Sequence, residues 1–200
     1  RPFFAYLPTN APHGPYHDVP EDLRKHYLKK DLKSLIRGNV RDVDAEVDKL
    51  SRIAAMITNF DQNVGRFFEA LKATDQYENT VVFLMTDNGP NTMRYVGELR
   101  GMKTNIVEGG IRTPLWSHWP AKLEANQSVK DTVAAHIDIF PTILEAVGAP
   151  LTEGLKIDGR SLMPQLMSPA TRMAPRPLFL QIHRGTQPQL YHNFMVRDSM

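Results

Sequence analysis

The stretch VVFLMTDNGPNTMRYVGELRGMKTNIVEGGIRTPLWSHWP, residues 81–120, decides the fold. It opens on an apolar run, Val81 to Met85, that passes through Thr86 into the polar pair Asp87-Asn88. A run without alternation, β-branched at its start, fits a strand covered on both faces, as in a parallel α/β sheet. Residues 111–120, IRTPLWSHWP, are predicted as another short strand. A carboxylate and a carboxamide at the carboxyl end of a strand, followed by a lysine in a glycine-bordered loop, sit where functional groups gather in open α/β sheets.

Working outward, PFFAYL (2–7) reads as a buried strand, and residues 8–20 carry four prolines and a glycine, so they form a loop of fixed path. Residues 21–43 are strongly charged, with leucines at 23, 28, 32 and 35, and predict a surface helix or an insertion. Ile53, Met56, Ile57, Phe60, Val64, Phe67, Phe68 and Leu71 recur at three- and four-residue steps and predict an amphipathic helix. Residues 131–150 lead into another helix, with Asp138 placed to cap it, Pro141 in its first turn and Gly148 at its end. After a proline-containing linker, 176–183 and 192–198 predict two further strands. The order predicts an α/β sheet flanked by helices, followed by the start of a smaller β-rich unit.

The bulk numbers exclude several function classes. With 200 residues, 42% of them hydrophobic, the chain is long enough for one sizeable core. Lys and Arg number 24 against 22 acidic residues, and no basic block is long enough for a nucleic-acid or membrane footprint. There is no cysteine, which excludes disulfides, thiolate metal sites and a thiol nucleophile from these residues. No apolar run approaches the roughly 20 residues of a membrane span. The N-terminus lacks the order of regions of a signal peptide, and a chain opening on Arg1 directly into an apolar run reads as cut from something longer. Strands stripped of neighbours by such a cut predict self-association.

Three short segments carry chemistry. Asp87 and Asn88 offer a charged and a neutral oxygen, both hard donors suited to calcium or magnesium, and Gly89-Pro90 turns the chain after them. The same DNGP is ordinary turn chemistry. Lys103, behind Arg-Gly-Met, can present a compact ammonium to an oxyanion, although most lysines are simply solvated. Gly109 and Gly110 allow close backbone approach. His13, between Pro12 and Gly14, can donate a hydrogen bond to an oxyanion or protonate a leaving group. Asp61 reads as surface, and His17, His118, His136 and His183 lack a ligand spacing and are assigned to structure or solvent. Asn126-Gln127-Ser128 matches a glycosylation sequon, which matters only in a secreted eukaryotic protein.

Taken in order, APHGP (11–15), MITNFDQNVGRFFEAL (56–71), TDNGP (86–90), LRGMKTNIVEGGIRTP (99–114), HIDIFPTILEAVGAP (136–150) and DGRSLMPQL (158–166) resemble the sulfatase family of the alkaline-phosphatase-like superfamily. The resemblance implies a mixed sheet flanked by helices, with residues 1–166 as the C-terminal portion of the catalytic domain. Residues 167–200 are then a linker and the start of a C-terminal subdomain. It further implies that Asp87 and Asn88 ligate a divalent cation, usually calcium, and that Lys103 and His13 contact a sulfate group and serve catalysis. In this family a cysteine or serine in a short motif with Pro and Arg becomes formylglycine, the nucleophile, and no such motif occurs here. The partner implied is a sulfated small molecule or carbohydrate, and the family location is periplasmic or secreted. Two alternatives stand beside hydrolysis of sulfate esters. One is a phosphoester or phosphonate hydrolase of the same superfamily, and the other is a non-catalytic domain that binds sulfated glycans.

Overall fold

The computed structural model describes residues 1–129 and 132–198. They divide into two units, one of residues 1–74 and 93–98, the other of residues 75–92 and 99–200. Asp131, where the segment leading into the third predicted helix begins, lies outside the described residues.

In the first unit, α1 (Glu21–Leu28) carries Glu21 and Asp22 in its first turn and Lys25 and His26 in its last, charges that complement the helix dipole. A short 3-10 turn follows at Lys33–Leu35. The predicted surface helix over 21–43 is therefore broken in the middle, and the chain reaches Asp42 in extended conformation. Asp42 caps α2 (Val43–Ala73), its carboxylate accepting from Ala45 N at 2.9 Å. The apolar stripe expected from Ile53 onward is present, and the helix begins ten residues earlier because this cap, rather than the stripe, sets its start. Leu32, Leu50, Ile53, Ala55 and Leu71 are buried. Two polar links seat α1 on α2: Arg24 Nε donates to Asp48 at 3.1 Å, and the Tyr27 and Thr58 hydroxyls lie 2.6 Å apart. Residues 93–98 join this unit by main-chain bonds, Arg37 N to Met93 O at 3.2 Å and Tyr95 N to Leu35 O at 2.7 Å.

PFFAYL does not form the predicted buried strand. Residues 1–10 are without regular structure and exposed, Phe4 and Tyr6 by 73% and 78%. An apolar run becomes a strand only where a neighbouring strand pairs with its backbone, and none does so here among the described residues.

In the second unit, β1 (Val82–Met85) pairs antiparallel with β2 (Leu115–His118), Val82 facing His118 and Met85 facing Leu115. The expectation of a parallel sheet covered on both faces is corrected among the described residues: all four residues of β1 are half-buried, with one strand beside them. The strand expected over 111–120 is confined to β2, because residues 108–111 turn into a single helical turn, α3 (Glu108–Ile111). Further on, α4 (Ile139–Ala146) accepts Pro141 in its first turn. It ends at Gly148, φ +68°, with Gly148 N bonded to Glu145 O and Ala149 N to Leu144 O, the paired bonds of a Schellman cap. A five-residue helix, α5 (Met163–Met167), and the antiparallel pair β3 (Leu178–Gln181) and β4 (Phe194–Arg197) complete the elements.

Asp138 corrects another expectation. It precedes α4 but its side chain makes no capping bond to that helix. Fully buried, it accepts from Ala135 N at 2.8 Å and from Arg160 N at 2.9 Å, and pairs with the Arg176 guanidinium. The carboxylate thus ties three stretches far apart in sequence, and a buried charge so paired and bonded is tolerated where a bare one is not. Burial, aided by neighbouring Arg176, lowers the pKa of Arg160, and Asp138 opposes that shift. Thr142 continues the node by donating to Asp138 O at 2.6 Å and accepting from Leu162 N at 2.9 Å. Among the described residues of this unit, the buried apolar side chains are Trp119, Leu162, Met163 and Leu178. In place of the one sizeable core expected from composition, each unit has a small one of its own.

Among the described residues no helix is long and apolar enough to cross a membrane.

Candidate functional site

Asp87 and Asn88 follow β1 directly, at the end where the strand hands the chain to a turn. Asp87 is exposed and Asn88 half-buried. Among the described residues, no hydrogen bond or ion pair engages the side chain of Asp87, Asn88 or Lys103. Polar groups without internal partners on a structured turn are available to a ligand.

The turn itself is held by its backbone. The carbonyl of Thr86 lies 2.8 Å from His136 Nε2, so that nitrogen carries the proton and donates. Gly89 N donates to Gly110 O at 2.9 Å, and Lys103 N donates to Pro90 O at 2.7 Å. Lys103 is therefore bonded through its own main chain to the turn that carries the two oxygen donors, and its side chain is half-buried.

Glycine is required here for reasons of space. A Cβ on Gly89 would lie 2.0 Å from Gly109 O, one on Gly109 2.6 Å from Arg100 O, and one on Gly110 2.1 Å from Asn105 O. Only chains without side chains can approach so closely. The Gly109-Gly110 pair expected to admit the backbone does so, within α3 rather than ahead of a strand. Lys103 sits in the turn closed by Asn105 N on Met102 O at 2.9 Å, and Thr104 beside it has φ +74°. A β-branched residue in the left-handed region costs free energy, on the order of 1–3 kcal/mol, and such strain clusters at functional sites.

His13 belongs to the first unit. Its Nδ1 lies 2.7 Å from the carbonyl of Gly14, so Nδ1 donates, and Nε2 makes no hydrogen bond among the described residues. With Nδ1 already a donor, a neutral ring presents a lone pair at Nε2, and donation to an anion from that atom needs the imidazolium. The loop is fastened to α2 by Arg52, whose Nη1 donates to Tyr16 O at 3.2 Å and whose Nε donates to Asp48 at 2.8 Å. Hydrogen bonds from Arg52 and then Arg24 lower the pKa of Asp48.

Asp87 and Asn88 are hard oxygen donors only, the chemistry that calcium or magnesium prefers, and they fit part of a site. Two ligands fall short of the about six to eight oxygens that calcium takes. Among the described residues no three or more His, Cys, Asp or Glu side chains stand together as a metal site.

His136, assigned from the sequence to structure or solvent, makes a structural contact to the Thr86 carbonyl. The residue lacks any ligand spacing, and its contact to Thr86 spans 50 positions, so only the fold reveals it. Asp61 is exposed on α2, as expected.

Comparison with known proteins gives the family of the chain. The Sulfatase family model matches residues 1–149. The chain is 31% identical over 170 residues to the uncharacterized sulfatase YdeN of Escherichia coli (strain K12), an alignment covering 83% of the chain and 27% of that protein. Arylsulfatase A of Homo sapiens is 34% identical over 181 residues, covering 88% of the chain and 30% of the relative. The chain thus spans about a quarter to a third of the length of these relatives. Among solved structures, that of Ps i-CgsB in complex with k-i-k-neocarrahexaose has a TM-score of 0.70 at 28% identity, covering 88% of this chain and 36% of that one. With the family model matching well over half of its residues, the chain belongs to the sulfatase family.

Proposed function

We propose that this chain is the C-terminal portion of the catalytic domain of a sulfuric ester hydrolase, residues 1–166, continuing into a smaller subdomain from residue 167. The parent enzyme removes sulfate from a carbohydrate. Membership of the sulfatase family supports the reaction, and likeness to a structure holding neocarrahexaose supports the substrate class.

One observation carries the site. Asp87 and Asn88, unengaged among the described residues, stand on a turn whose backbone is held on both sides, with Lys103 bonded to the same turn. The two side-chain oxygens are proposed as calcium ligands, completed by oxygens from outside this chain. Calcium, when bound, supplies positive charge toward the nonbridging oxygens of a sulfate ester. Lys103 adds an ammonium to the same task. A charge fixed before the reaction stabilises the developing oxyanions without reorganising at the moment of reaction. In the first unit His13 offers Nε2 to a sulfate oxygen, a role tested separately by His13→Ala. The nucleophile is expected from residues outside this chain.

The test compares this 200-residue chain with the complete protein. The isolated chain is expected to give no aryl-sulfate turnover above a buffer control and at most weak calcium binding by calorimetry. The complete protein turns over the ester, and Asp87→Ala abolishes both calcium binding and activity. A complete protein that binds sulfated oligosaccharide but never hydrolyses it replaces the enzyme reading with that of a glycan-binding domain.

A further inference from the structure

A side chain that binds a cation is only as well aimed as the peptide planes on either side of it. The peptide unit is rigid and planar, so fixing its oxygen or its N–H fixes its orientation. The Thr86–Asp87 unit is held at its oxygen by His136, and the Asn88–Gly89 unit is held at its N–H by Gly110 O. Asp87 and Asn88 are the two residues between these fixed planes. The Gly110 contact is backbone to backbone and survives any side-chain change elsewhere. The contact at Thr86 depends on one imidazole.

That imidazole has a firm base. His136 begins the 3-10 turn His136–Asp138, which ends on the fully buried Asp138. The Asp138 carboxylate takes Ala135 N and Arg160 N, and Arg176 neutralises it. Gly159 packs against the same turn, where a Cβ would stand 1.9 Å from Ile137 O. Both ends of the turn are therefore anchored, and the ring projects from it onto the carbonyl that precedes the first oxygen donor. Outer contacts of this kind orient ligand-bearing groups and typically matter by 10–100-fold in metal affinity or activity.

We propose that His136 is a positioning residue for the cation-binding turn: by donating Nε2–H to Thr86 O it sets the plane from which the Asp87 side chain departs. The inference rests on the calcium reading of Asp87 and Asn88. It assigns His136 no contact with substrate.

The experiment uses the complete protein, with calcium as the probe. Calorimetry gives the calcium affinity of wild type, His136→Ala, His136→Gln and Asp87→Ala, and hydrogen exchange follows the amides of residues 87–89. His136→Ala is expected to weaken calcium about tenfold or more and to speed exchange in that turn. His136→Gln, whose amide N–H reaches the same carbonyl, recovers most of the loss, which a general packing role would not allow. If the alanine variant does not fold, His136→Asn, too short to reach, takes its place in the comparison with glutamine. Unchanged calcium affinity in the alanine or asparagine variant, or a glutamine variant no better than either, overturns the positioning role. If Asp87→Ala retains calcium, the metal reading falls, a result separate from any obtained at position 136.

Discussion

Lys103 couples main-chain restraint to a free charge. Its amide is bonded to Pro90 O, its neighbour Thr104 is in the left-handed region, and its ammonium has no ion-pair partner among the described residues. In the complete protein, Lys103→Ala is expected to lower kcat/KM about 10²–10³-fold, as loss of an oxyanion donor does. Stability should change by no more than about 0.5 kcal/mol, since the side chain lies outside both cores. Urea unfolding and aryl-sulfate kinetics on the same samples check both halves, and near-normal turnover would return Lys103 to the solvated surface. At this scale the sequence marks candidate residues, whose roles are proposals. Asp87, Asn88, Lys103 and His13 stand out because unusual residue types cluster beside glycine and proline. His136 and the role of Asp138 were not legible, because each acts on partners 22 to 50 positions away, and no local pattern encodes a pairing at that range.

Helices were easier to read than strands, for a physical reason. A helix closes its hydrogen bonds within itself, so α2 announces itself by its stripe, though not by the Asp42 cap that sets its start, and α4 by Pro141 and Gly148. A strand needs a partner. The partner of β1 and its antiparallel sense are properties of the fold, and the segment 2–7, with similar composition, has none among the described residues. The joint between α1 and α2 yields a pH prediction. Asp48 has its pKa lowered by Arg52 first and Arg24 second, so its ionised form is favoured in the folded state. Its contribution is fully present above the ordinary carboxylate value of about 3.9 and is lost as pH falls through the lower folded value. Wild type should therefore exceed Asp48→Asn in stability near neutral pH, and the gap should close as the solution is acidified below about pH 4. Parallel acid-unfolding curves of constant separation would show that the ion pairs of Asp48 are solvent-screened and without effect.

At the scale of the whole chain, large apolar side chains stand in solvent: Phe4, Tyr6, Leu7, Phe179, Leu190 and Tyr191 are each at least 69% exposed. Such surface associates unless something covers it. The isolated chain is expected to self-associate, with light scattering giving masses that rise with concentration. A monodisperse species of 22.7 kDa at high concentration would show that the exposed apolar residues are tolerated in water. Covering the same residues with the remainder of a full-length sulfatase should abolish association, which makes the complete protein the control.

The contact of Gly89 with the Gly109-Gly110 pair has a consequence at the level of the gene. Every glycine codon begins GG, so any single-base change that alters the amino acid yields Ala, Val, Ser, Cys, Asp, Glu, Arg or Trp, or a stop. All eight residues carry the Cβ that would fall 2.0, 2.6 or 2.1 Å from a backbone oxygen at positions 89, 109 and 110. In a saturation library of the complete gene, these three codons should tolerate synonymous changes and almost nothing else. Gly65, Gly154 and Gly185, with open space where a Cβ would go, provide the internal comparison. Of these, Gly65 has no positive φ and should accept alanine freely. Such a map of inheritance would record a close approach of backbone to backbone without reference to catalysis.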